Sequence, residues 1–210
     1  MSLIEPDPAT AATAVGQAQE TPKHGCTDRT AYHLPQFLRE QPNPQKGNIM
    51  IVFLDFDGVL HPENTNRKSD LLTRLPLIEE VLREFPSAEI VISSAWRLNW
   101  PHRTLATLEL RRHFSEDVAP RVIGVTPNFT QLDRQNAPDG LHLYRRQWEC
   151  EMWLRANRLP GTPWIALDDR AYWFRPFCKN LMAFDNNVAF TPEHQPDLRA
   201  RLKAMQEGLS

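Results

Sequence analysis

From residue 49 onward, short apolar runs alternate with longer stretches whose apolar residues recur at helical spacing. The first run, Met50–Leu54, is unbroken and includes β-branched Ile51 and Val52, the pattern of a strand buried on both faces. Pro76–Phe85 follows with Leu77, Ile78, Val81, Leu82 and Phe85 on one helical face, and Pro86 closes it. Glu89–Ile92, Arg121–Val125, Pro163–Leu167 and Asn180–Phe184 read as four further strands. Arg103–Phe114, Tyr144–Asn157 and Pro192–Gln206 read as helices between and after them. Strand–helix alternation of this kind predicts an α/β fold, a three-layer α/β/α sandwich around a central parallel sheet. Residues 126–143, with Pro127, Pro138 and Gly140, read as a long loop, and loops of that length are usually functional or mobile.

Residues 1–47 break the pattern. Pro6, Pro8, Pro22, Pro35, Pro42 and Pro44 fall among Ala, Thr, Gln and Glu, with few large apolar side chains. Such a segment buries too little surface to offset its ordering entropy, so a disordered tail is expected ahead of a folded domain at 48–210. Tyr32–Arg39, carrying Leu34, Phe37 and Leu38, is the one piece suited to a short docking turn, and Met50 leaves open a natural start near the first strand.

Composition narrows the classes further. A net charge of −2 and a pI near 6.4 describe an ordinary soluble protein, without a dedicated nucleic-acid-coating surface. No apolar stretch approaches the roughly 18 residues of a membrane span, and no basic-then-apolar leader opens the chain, so a cytoplasmic protein without membrane partners is expected. Cys26, Cys150 and Cys178 are far apart and form no C-x-x-C pair, which fits reduced thiols. The seven histidines show no metal-ligand spacing.

Candidate chemistry gathers where strands end. The first strand gives Asp55 and Asp57 before Gly58, the second gives Ser93 and Ser94, and the fourth gives Asp168 and Asp169. In a parallel sheet these ends share one edge, where ligands bind. Two unit charges ~4 Å apart at an effective dielectric near 20 repel by roughly 4 kcal/mol. Four acids therefore call for a cation, and an all-oxygen set points to Mg2+.

Asp55-Phe56-Asp57-Gly58-Val59-Leu60 resembles the first motif of the haloacid dehalogenase (HAD) superfamily, D-x-D-G-[TV]-L, with Ser93 at the second-motif position and Asp168-Asp169 at the fourth. The resemblance covers residues 50 to about 191 and implies a Rossmann-like, HAD-like fold. Ser93-Ser94-Ala95-Trp96-Arg97 and Leu167-Asp168-Asp169-Arg170 are similar to HAD domains linked to RNA-repair proteins, the latter also to the phosphatase domain of polynucleotide kinase–phosphatases. The resemblance implies a phosphatase in which Asp55 is the nucleophile that carries an aspartyl-phosphate and Asp57 the general acid and base. It implies Mg2+ held by Asp55, Asp57 through its main-chain carbonyl, and the Asp168-Asp169 pair, with Asp169 inner and Asp168 outer. Asp57 also separates the chain from the family's dehalogenases and ion-pumping ATPases.

The third motif departs from the family, because no lysine lies between Lys68 and Lys179. The helix before the fourth strand opens with Arg145 and Arg146. Arg146, three before Glu149 in an Arg-x-x-Glu-x-x-x-Trp-Leu phrase similar to that of the RNA-repair-linked HAD domains, is the preferred substitute, and Arg can replace Lys because it grips phosphate bidentately. Gly58, Ser94, Arg97 and Arg170 are further substrate-contact candidates, the arginines competing with salt-bridge roles. His61 is placed at the site entrance, and Trp100 is a stacking candidate. Residues 97–175 hold 12 of the 19 arginines against nine acids, which suits a phosphorylated substrate. Asp57 and Ser93 are 36 positions apart, leaving no room for a large cap, so large substrates such as nucleic-acid ends, phosphoproteins or nucleotides become accessible alongside small phosphoesters. The expected function is Mg2+-dependent phosphomonoester hydrolysis. The alternatives are an idle HAD-like binding module, disfavoured by four intact acids, and a phosphotransferase.

Overall fold

The first apolar run is the centre of the sheet. β1 (Met50–Leu54) is buried along its whole length. It pairs in parallel with β2 (Ala88–Ile92) on one side and β4 (Trp164–Asp168) on the other. β3 (Val122–Val125) and β5 (Leu181–Ala183) form the edges, giving five parallel strands in the order β3-β2-β1-β4-β5. The computed structural model describes residues 49–129 and 143–208, all within the unit Pro42–Ser210. The expected tail over 1–47, its Tyr32–Arg39 turn, Cys26 and most of the 126–143 loop lie outside the described residues.

Side chains alternate across β1 as the two-residue strand period requires. Met50, Val52 and Leu54 face the larger apolar layer. There they join Ile78, Val81 and Leu82 of α1 (Leu75–Arg83), Ala106 and Leu110 of α2 (Arg103–Arg111), and Leu198, Leu202 and Met205 of α4 (Gln195–Gln206). Ile51 and Phe53 face the other way, against Cys150 and Trp153 of α3 (Arg145–Asn157). The result is the expected three-layer, Rossmann-like sandwich. Among the described residues no helix is long and apolar enough to cross a membrane.

The helices are trimmed relative to their apolar patterns, α1 stopping at Arg83 ahead of the buried Phe85. α2 stops at Arg111, although Phe114 remains buried. The turn after it is pinned by Glu79, which accepts from the Ser115 N–H at 2.8 Å and its hydroxyl at 2.7 Å. The closing helix begins at Gln195 rather than Pro192, because Pro192–His194 forms a separate 3-10 turn. Thr191 and His194 cap that turn reciprocally.

Candidate active site

Register, more than sequence proximity, builds the site. Leu54 lies opposite Ile92 on one side and Leu167 on the other, so the next residues, Asp55, Ser93 and Asp168, line up across the carboxyl edge. Two ladder bonds extend into that row: Asp55 N–H donates to the Leu167 carbonyl at 3.0 Å and Ser93 N–H to the Leu54 carbonyl at 2.9 Å. The crossovers diverge here, with β2 following to one side of β1 and β4 to the other, the position where open α/β sheets bind ligands.

Asp55, Asp168 and Asp169 bring carboxylate oxygens within 4.8 Å of one another. The chain's answer to that charge is Arg146. Its Nη1 lies 3.1 Å from Asp55 Oδ2 and 3.1 Å from Asp168 Oδ2, and its Nε is 3.7 Å from Glu149 Oε2. Burial by itself would weaken the guanidinium's hold on its proton, but the charges of Asp55, Asp168 and Glu149 outweigh it and raise the pKa. Both 3.1 Å contacts are ion pairs off the N–H axis: Nη1 and Asp168 Oδ2 are buried without an aligned hydrogen bond. Arg145 faces elsewhere, toward Glu149 Oε1 at 3.1 Å and Asn128 at 2.8 Å. Of the two candidate arginines, Arg146 is therefore the one among the acids.

The four acids differ in environment. Burial pushes Asp168 up to about 7, with Arg146 opposing and Asp55 reinforcing the rise. Burial, aided by the charge of Asp55, likewise pushes Asp169 up to about 6. Asp168 is the more engaged of the two, since its Oδ1 also accepts from the Arg170 N–H at 2.8 Å. Asp169 Oδ2 has no hydrogen-bond donor, although Arg170 Nε is 3.2 Å away. The Asp57 carboxylate stands apart from the cluster and is held by Trp96 and His61. Burial would raise its pKa, but those hydrogen bonds, joined by the charge of Arg170, bring it below the usual carboxylate value. Three clustered acids, two of them with an oxygen lacking a donor, fit a hard divalent cation such as Mg2+. The Asp57 side chain is not part of that set.

Ser93 is buried at the same edge, and its hydroxyl has no partner among the described residues. Gly58 is there for space. It adopts φ +73°, and a Cβ at this position would come within 2.6 Å of Asp169 Cγ, so only glycine fits beneath the acid.

Other expected contacts have different roles. Arg97 is buried, and its five N–H groups meet the carbonyls of Ser93, Ser94, Thr126 and Pro127 and the Glu149 carboxylate. No donor remains for a phosphate; it is a strut joining β2, β3 and α3. Ser94 is also inward, its hydroxyl accepting from the Trp96 N–H at 3.3 Å to cap the turn Ala95–Asn99. Arg170 pairs with Glu63 and Asp169 at the mouth of the site. Trp100 is half-buried against the larger apolar layer.

Three residues of the site escaped the sequence reading. Glu149, fully buried, gathers Arg97, Arg145 and Arg146, and its spacing in Arg-x-x-Glu was the available signal. Trp173 faces the guanidiniums of Arg145, Arg146 and Arg170 at 5.8, 5.2 and 5.8 Å from its ring centre. Trp96 reaches Asp57, and nothing but its closeness to Ser93 pointed to it. Cys150 and Cys178 form no disulfide, and burial raises both thiols above their ordinary pKa, opposing nucleophilic use.

No curated protein and no solved structure matches the chain. The profile of the HAD domain in Swiss Army Knife RNA repair proteins matches residues 51–195, which run from β1 to the first residue of α4 and include every acid and arginine of the site. The chain belongs to the family of HAD domains in Swiss Army Knife RNA repair proteins.

Proposed function

We propose that this domain is a Mg2+-dependent phosphomonoester hydrolase that removes phosphate from nucleic-acid ends through an aspartyl-phosphate on Asp55. The observation that carries the reading is the buried Asp55–Asp168–Asp169 cluster bridged by Arg146.

Asp55 has one oxygen fixed by the Phe56 N–H at 2.8 Å and the other beside Arg146, which orients the carboxylate for attack on phosphorus. As the phosphorus–oxygen bond to the leaving group breaks, Asp57 gives that oxygen a proton. In the second half it takes one from the water that releases phosphate from Asp55. Its ionised resting form is ready for the second role, and the charge of an incoming phosphoryl group raises its proton affinity for the first. Arg146 and the Ser93 hydroxyl hold the phosphoryl oxygens. Mg2+ bound by Asp55 and Asp169, with Asp168 behind them, would offset charge between nucleophile and phosphate. The nucleic-acid part rests on family membership and on the Arg170 and Trp173 wall beside the acids.

Turnover of 5′- and 3′-phosphorylated oligonucleotides, compared with small phosphoesters, tests both parts. Activity is expected to need Mg2+ and to fall ~10⁴-fold or more in Asp55→Asn, as nucleophile removal does elsewhere. Ser93→Ala is expected to cost ~10²–10³-fold, the loss of one donor. Near wild-type turnover in Asp55→Asn refutes the mechanism; no preference for oligonucleotides refutes the substrate class.

A further inference from the structure

The Asp57 carboxylate is gripped at both oxygens. The Trp96 indole Nε1–H lies 3.0 Å from Oδ1 and 3.0 Å from Oδ2, and His61 Nε2 lies 3.2 Å from Oδ1. His61 is itself buried, and its Nδ1 accepts from the Leu72 N–H at 3.3 Å. An acceptor at Nδ1 puts the neutral ring's proton on Nε2, the nitrogen that faces Asp57. Leu72 provides its N–H from φ 59°, an unusual conformation for leucine that the surrounding structure must maintain. Trp96 is fixed just as firmly. Ser94 caps its turn, and its ring packs edge-on against Phe56 at 5.4 Å and His113 at 6.0 Å.

We infer that Trp96 and His61 are positioning residues that hold the Asp57 carboxylate in one rotamer, turned away from the acid cluster and toward the leaving-group oxygen. The inference rests on the phosphohydrolase reading above. Asp57 keeps 40 % of its side-chain surface, so without the two donors it would rotate freely in the mouth of the site. With them, Oδ2, which meets only the shared indole N–H, still has a lone pair for a proton. In the first step the Asp57 carboxyl proton moves to the bridging oxygen as the phosphoryl group transfers to Asp55, and the alcohol leaves. In the second the carboxylate takes a proton from water as its oxygen bonds to phosphorus, and Asp55 is freed.

Proton donation matters more as the leaving group becomes a poorer one, and this separates positioning from mere support of the fold. The test compares kcat/KM for 4-nitrophenyl phosphate, whose phenolate leaves unaided, with that for a simple alkyl phosphate. Trp96→Phe keeps the ring packing and removes the donor. It is expected to lower kcat/KM for the alkyl ester ~10–10²-fold, part of the ~10²–10⁴-fold that general acids supply, and for the aryl ester less than ~3-fold. His61→Leu is expected to show the same split, and His61→Gln, which keeps an N–H near the Nε2 position, to recover most of it. Should Trp96→Phe fail to fold, the His61 pair decides the matter alone. Equal losses with both esters, or no recovery in His61→Gln, overturn the positioning role while leaving the hydrolase reading intact. Absence of Asp55-dependent turnover in the wild-type chain overturns both.

Discussion

On one face of the sheet α1, α2 and α4 bring leucines, isoleucine and valine against Met50, Val52 and Leu54. On the other, α3 covers Ile51 and Phe53 with Cys150 and Trp153 but buries Arg146, Gln147 and Glu149 beside them. The first interior is held by non-directional burial, where volume and shape matter most. The second is held by charges that must be paired in register, because an unpartnered buried charge costs several kcal/mol. The site sits at the edge of the second. A layer of charged groups is a poor way to gain stability, so its presence under α3 sets the candidate site apart from the rest of the interior.

The sharpest way to break the contrast is at Arg146. Arg146→Ala leaves Asp55, Asp168 and Glu149 without their shared cation, and turnover is expected to fall ~10³-fold, with Arg146→Lys recovering part because it keeps the charge but loses the planar fork. Arg145→Ala, whose guanidinium contacts Glu149 and Asn128, is expected to change kcat less than ~10-fold. Steady-state kinetics of the three variants check this, and a larger loss in Arg145→Ala than in Arg146→Ala would reverse the assignment.

The opposite face gives the converse. Leu202→Ala removes a fully buried side chain between α4 and the sheet and is expected to cost ~2–5 kcal/mol of stability. Its kcat, measured well below the melting temperature, is expected to stay within ~2-fold of wild type. Chemical denaturation alongside kinetics decides whether the two interiors are as separable as they look.

The smallest effect is in pH. Asp168 and Asp169 have folded pKa values of about 7 and about 6, above the unfolded value of 3.8. Their contribution to stability is complete below that unfolded value and is lost as pH rises through 6 to 7. Mg2+ bound at the proposed site would take the place of those protons, so the rise in Tm on adding Mg2+ is expected to be larger at pH 8 than at pH 5.5. Asp169→Asn is expected to flatten the difference, and thermal melts with and without Mg2+ measure it.

The same contrast explains what was legible in the chain. α1 showed its buried face through Ile78, Val81 and Leu82 at helical spacing, and β1 through an unbroken apolar run, so the sandwich could be read directly. α3 offered no such stripe, since Arg146, Gln147 and Glu149 point inward together with Trp148, Cys150 and Trp153. Arg146 could be reached by asking what would neutralise four acids. Arg97 was misplaced because a buried arginine that satisfies carbonyls looks, in sequence, like one that waits for phosphate. Trp96 and His61 act on Asp57 across 39 and four positions, and no periodicity encodes that.

Arg97 is not alone among the described residues in turning its guanidinium into the scaffold. Arg121 donates to the carbonyls of Leu82, Phe85 and Ala88, and Arg111 donates to that of Val122. Counting arginines along residues 97–175 therefore overstates the positive field that a polyanion would meet. A nucleic-acid strand would gain nothing from such inward-turned guanidiniums along its length. Binding of such a strand would accordingly weaken less with added salt than the arginine count suggests, because fewer counterions would be released.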